Sequence, residues 1–177
     1  MKKVAAALVI MLILATAIAV IGYSSITRSQ HSSADVKSRF VGAWTLLSTE
    51  EILKDGSSRT YTDIGPNGKG YLLYAEDGHM CATLVNPDRP KLDTPATIAQ
   101  KIAAIDGLAA YCGRYEIDET QHIMWHYPEI AADPGYVGTK QPRPFRFEGD
   151  HLIFSGPQPS GENQKVDRWT IVWQRAK

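Results

Sequence analysis

Net charge is the first thing this chain lacks: 19 Lys plus Arg stand against 19 Asp plus Glu in 177 residues, and the formal balance is zero. A phosphate-binding surface needs a concentrated positive face. No basic run follows Lys2 and Lys3, so nucleic acid is not an expected partner. Cysteine is scarce, with two residues and no paired-Cys spacing, and HExxH is missing. His79, His122, His126 and His151 are scattered rather than set at ligand spacing, so no metal site and no cofactor are expected. There is no GxSxG to form a nucleophile elbow. The glycine-rich Gly65-Pro66-Asn67-Gly68-Lys69-Gly70 lacks the GKS or GKT that would lead a phosphate loop into a helix.

What is present begins with a long apolar run. Met1-Lys2-Lys3 precedes Val4 to Tyr23, with Ala17-Ile18-Ala19 as a small-x-small cleavage site. This is the pattern of an export signal. At roughly 20 residues the run is also long enough to cross a bilayer, so residues 1–23 are either a cleaved signal or an N-terminal membrane anchor. Both alternatives place the remainder outside the cytoplasm, in the periplasm or beyond the cell. No Cys lies near the run to carry a lipid. Residues 24–34, SSITRSQHSSA, read as a polar linker, and residues 35–177 as one domain large enough for a real core. Cys81 and Cys112 are either a disulfide, which an oxidising compartment favours, or two buried thiols packing as apolar groups.

After a helical lead-in at Asp35 to Phe40, short β-rich runs alternate with turn residues, the pattern of a closed antiparallel barrel or sandwich. Phe40 to Leu47, FVGAWTLL, opens the first strand, and Gly42 lets the backbone pass close to another segment. The last strand, Asp167 to Arg175, ends in a guanidinium that could cover the Trp44 face. First and last strands that meet close the sheet. The first strand is expected at about 43–53, and between it and the last, strands are expected at about 58–63, 70–75, 79–85, 114–118, 122–130, 143–148 and 151–155. Thr94 to Tyr111 carries Ile98, Ile102, Ile105 and Ala109 at helical spacing, with Thr94 as N-cap and Pro95 in the first turn. It reads as one helix lying across the barrel between the fourth and fifth strands. The irregular loop AADPGYVGTKQP is long enough to rim a cavity, and GPQPSGENQ forms a second loop before the last strand.

In order and spacing, six groups of residues carry a resemblance: Val41 to Leu46; Gly70 to Tyr74 with Asp77 to Met80; Pro87-Asp88-Arg89-Pro90; Tyr111-Cys112-Gly113-Arg114-Tyr115; His126 with Glu129; and Tyr136 to Thr139 with Gln141 and Arg143. From about Phe40 to Arg175 the chain resembles the lipocalin-like domain family, of the calycin type. The resemblance implies a mainly β fold, a closed antiparallel barrel of eight to nine strands whose interior could hold a small, mostly apolar molecule. It implies no reaction, since a fold does not fix function. Where many relatives would carry a His pair, this chain has Trp125-His126-Tyr127, which puts a paired-histidine role in doubt.

Strand parity then selects candidates, since alternate residues face opposite sides. With Pro144, Arg146 and Glu148 on the wet face, Arg143 shares the inner face with Phe145 and Phe147. A buried Arg needs a partner: a ligand anion, an internal carboxylate, or a place at the rim beside Pro142. Tyr115 faces inward by the same rule. His126 lies on a strand apolar on both parities; if inward, it is the best acid or base, with Glu129 or Tyr115 as helper, although Glu129 points out unless Pro128 makes a bulge. Trp44, Trp169 and Trp173 read as core. Three functions follow. The first is a binder of a small hydrophobic or amphipathic molecule lined by Tyr74, Met80, Tyr111, Tyr115, His126 and Arg143. The second is an isomerase or cyclase using His126 and Glu129, and the third a structural envelope domain with a filled barrel.

Overall fold

The computed structural model describes residues 35–157 and 165–177. The expected signal or anchor, the linker and most of the GPQPSGENQ loop lie outside them. Nine strands form one sheet: β1 (Gly42–Leu53), β2 (Ser58–Arg59), β3 (Lys69–Tyr74), β4 (His79–Val85), β5 (Leu108–Asp118), β6 (Ile123–Ala131), β7 (Gln141–Glu148), β8 (His151–Pro157) and β9 (Val166–Arg175). Each strand from β3 to β9 pairs antiparallel with the next, and β1 pairs with both β3 and β9. The sheet thus closes as an eight-stranded antiparallel barrel, with β2 as an extra strand beside β1.

The seam forms between the two expected segments. Trp44 is opposite Arg175, whose guanidinium carbon lies 4.2 Å from the indole centroid. Arg175 Nη1 also donates to the Val41 carbonyl at 3.0 Å. Gly42 has φ +120°, and a Cβ there would stand 3.0 Å from the same guanidinium, so both backbone conformation and space call for glycine. At an exposed site a cation–π contact contributes about 1 kcal/mol. Arg175→Ala should therefore cost about 1 kcal/mol in urea denaturation, while Arg168→Ala, at an exposed position on the same strand, should stay within about 0.5 kcal/mol.

Period-two burial fills the interior. Leu72 and Tyr74 on β3, and Met80, Ala82 and Leu84 on β4, are buried between exposed or half-buried neighbours. One end is plugged by Phe40, fully buried, with edge-on ring contacts to Phe145 and Phe147 at 4.8 Å and to Tyr74 at 5.7 Å. Facing outward, Cys81 and Cys112 stand opposite each other on β4 and β5 and are joined as a disulfide.

Three expectations are corrected. The second strand covers only Ser58–Arg59. The helix, α1, is limited to Ile98–Asp106, capped by Thr97 in a reciprocal pair with Gln100 and ended by Gly107. Leu108 to Tyr111 instead extend β5 and pair with β4, because those backbone groups find ladder partners there. Nor does the apolar side of α1 pack down: Ile98, Ile102 and Ile105 are 77%, 56% and 57% exposed.

Candidate functional site

Beyond the aromatic plug the barrel is not filled. A cavity of about 300 Å³ opens toward the far end of β1, at the small end of the range for ligand pockets. Part of its wall is apolar, formed by Leu72, Ala82, Leu84, Phe154 and Ile171. Against this stand Tyr61, Tyr111, His126, Tyr136, Gln141 and Arg143. A neighbouring hollow shares Glu51, Tyr61, Ile64 and Ala109 and adds Arg59, Asp63, Asp106 and Lys165, so the approach is a band of mixed charge.

His126 is 1% exposed, inside β6, and both ring nitrogens are occupied. Tyr74 Oη lies 2.6 Å from Nε2 and Tyr111 Oη 2.8 Å from Nδ1. A neutral imidazole has one donor and one acceptor, so one hydroxyl donates to the ring and the other accepts from it. Burial, then the nearby Arg143 charge, holds the His126 pKa well below its ordinary 6.5, keeping the ring neutral. Burial also raises the Tyr61, Tyr74 and Tyr111 hydroxyls above their usual range. They remain protonated and act as hydrogen-bonding groups.

Arg143 faces inward on β7, half-buried. Its Nη1 donates to the Pro142 carbonyl and its Nη2 to Tyr136 Oη, both at 3.0 Å. The guanidinium carbon is 5.7 Å from the centroid of the Trp169 ring. Burial works against its charge, but Tyr111 and Tyr136 outweigh that and the pKa moves up, so the group stays cationic.

Of the residues expected to line the interior, Tyr111, His126 and Arg143 do reach the cavity. Tyr74, Met80 and Tyr115 lie behind it in the core: Tyr74 holds His126, Met80 is 2% exposed, and Tyr115 Oη donates to the Ala75 carbonyl at 2.8 Å. Glu129 is not brought to His126. It is the extra residue of a bulge where Cys112 pairs with Ile130 and Gly113 with Pro128, and it points outward to Arg114 at 3.4 Å. Trp44 is core as expected, but Trp169 and Trp173 also line the cavity. Tyr61, Tyr136 and Gln141 were not singled out as lining. Tyr136 comes from the loop expected to rim a cavity, and that loop was its signal. Among the described residues no three His, Cys, Asp or Glu side chains converge on a metal position.

A family model described as a lipocalin-like domain matches residues 41–176. The chain belongs to the lipocalin-like domain family. That match spans every strand of the barrel, from β1 to β9. No curated protein matches the chain, so the lipocalin-like architecture and the cavity itself carry the functional argument.

Proposed function

We propose that this lipocalin-like protein is exported and that its barrel binds one small, largely apolar or amphipathic molecule. The carrying observation is the cavity of about 300 Å³ with an apolar wall facing a cluster of hydroxyls and a guanidinium. A barrel closed by eight strands is wide enough for a single small ligand. Export is supported by the Lys2-Lys3 head and apolar run of residues 1–23 and by the Cys81–Cys112 bridge, since disulfides persist in oxidising compartments. If the run is retained, it also ties the domain to a membrane.

Binding is favoured over proton transfer because His126 has no free nitrogen to offer a substrate and Glu129 lies on the outer surface. An unfilled interior weighs against the structural reading. Native mass spectrometry of the protein from the exported fraction of its own cells tests the proposal. A small-molecule adduct is expected, and Ala82→Phe, which would fill the cavity, should remove it. Protein that is bare in every preparation, or an adduct that persists undiminished in a folded Ala82→Phe variant, would overturn the assignment.

A further inference from the structure

Building on the reading of the barrel as a binder, we infer that the ligand is a small monocarboxylic acid whose carboxylate is held by Arg143 inside the cavity. The other arginines with carboxylate partners show what Arg143 lacks. Arg59 pairs with Glu51 at 2.8 Å, Arg114 with Glu129 at 3.4 Å and Arg146 with Glu148 at 2.7 Å. Among the described residues no carboxylate lies within 4.0 Å of Arg143. Glu51 lines the same cavity but is held by Arg59.

Its remaining partners are neutral. A guanidinium carries five N–H donors, and Arg143 directs one to the Pro142 carbonyl and one to Tyr136 Oη. Tyr61, protonated by virtue of its burial, cannot cancel the charge but can donate to an anion beside it, and so can Tyr111 in the tautomer in which it accepts from His126 Nδ1. A half-buried cation without a counter-ion is poorly compensated by its surroundings, and a ligand carboxylate that displaces the cavity solvent supplies that counter-ion with two parallel charge-assisted bonds. One cation matches one negative charge. A dianion such as a phosphate monoester would leave a charge unmatched, with the Glu51 carboxylate on the same wall.

Size narrows the class. At about 30 Å³ for each water-sized group, the cavity takes a body of roughly ten non-hydrogen atoms. The apolar wall fits a short branched or aryl-substituted acid, with its ring or chain against Leu84 and Phe154.

Titrating the protein, as the cells export it, with 3-phenylpropanoate and 3-phenylpropan-1-ol at neutral pH tests this, with the tryptophan emission as readout. The acid should bind at least about tenfold more tightly than the alcohol, as a hydrogen-bonded charge pair requires. In Arg143→Gln the two affinities should become about equal through loss on the acid side alone. Equal affinities in the wild-type protein, or a preference that survives Arg143→Gln, would overturn the carboxylate assignment and leave the binding proposal standing. Absence of binding by both compounds, with protein found bare in native mass spectra, would overturn both. Should Arg143→Gln fail to fold, the wild-type protein decides: acid binding should weaken as pH falls through the probe's own carboxyl pKa, alcohol binding should not, and a parallel response of the two overturns the inference.

Discussion

As pH falls below 6.5, the folded barrel is expected to lose stability, on the order of 1 kcal/mol per pH unit, through His126 alone. In the unfolded chain this imidazole takes up a proton near its ordinary pKa of 6.5. In the barrel it does not, because the charged form would be desolvated and set near the Arg143 guanidinium. The unfolded state therefore binds more protons in this window, so stability is complete above 6.5 and falls as the medium becomes more acid. Protonation would also make both ring nitrogens donors, so that Tyr74 and Tyr111 would both have to accept at 2.6 and 2.8 Å. Asp55 and Asp77, whose pKa values are lowered, keep their stabilising contribution down to their ordinary value of 3.8 and lose it only as pH falls further, which separates the two effects. Urea titrations at a series of pH values should show the slope in the wild-type protein and its loss in His126→Gln, which keeps a donor and an acceptor in place. An unchanged slope in that variant would mean that another group titrates.

The direction of His126 was the least legible part of the site, because Trp125 and Tyr127 make β6 apolar on both parities. The structure explains that pattern: Lys140 lies 4.0 Å from the Trp125 ring centroid on the outside, and Tyr127 Oη donates to Glu116 at 2.8 Å. Aromatic residues with polar company can face water, and that company comes from outside β6: Glu116 on β5 and Lys140 in the loop before β7. The seam was easier to read, since Gly42, Trp44 and Arg175 each have a chemical reason to meet. Arg143 alternates with Phe145 and Phe147, so strand parity alone points it to their face of β7. Tyr61 lies in an irregular segment and Tyr136 ends a single 3-10 turn, Pro134–Tyr136; both are too short to carry a period, so nothing local says where their rings point. The overlong helix has a different cause. Ala109 and Ala110 favour helix intrinsically, and only the unsatisfied edge of β4 recruits them into a strand. The same limit applies to Glu129, whose outward position depends on a bulge that no residue type announces.

Among the described glycines, that bulge leaves Gly113 the least room for a side chain. Gly113→Ala is expected to destabilise the barrel by at least ~3 kcal/mol, the upper end of ordinary overpacking costs, and to deplete folded protein if the domain starts from a typical margin of 5–15 kcal/mol. Gly113 pairs with Pro128 where β6 bulges, and an added Cβ would run into the Tyr127 carbonyl oxygen and stand 2.8 Å from the Glu129 nitrogen. Both obstacles are backbone, so no side-chain rotation relieves the clash; β5 and β6 would have to separate. These two strands carry Tyr111, Tyr115 and His126 into the barrel, so separation would also break the Tyr111–His126 contact at 2.8 Å. Gly78→Ala provides the comparison: nothing lies within 4 Å of its Cβ position, and only its φ of +92° is strained, so its cost should be about 1–2 kcal/mol. Chemical denaturation of the two variants should rank Gly113→Ala well above Gly78→Ala. The reverse order would mean that β6 relaxes around an added methyl group and that the bulge is not a fixed feature of the wall.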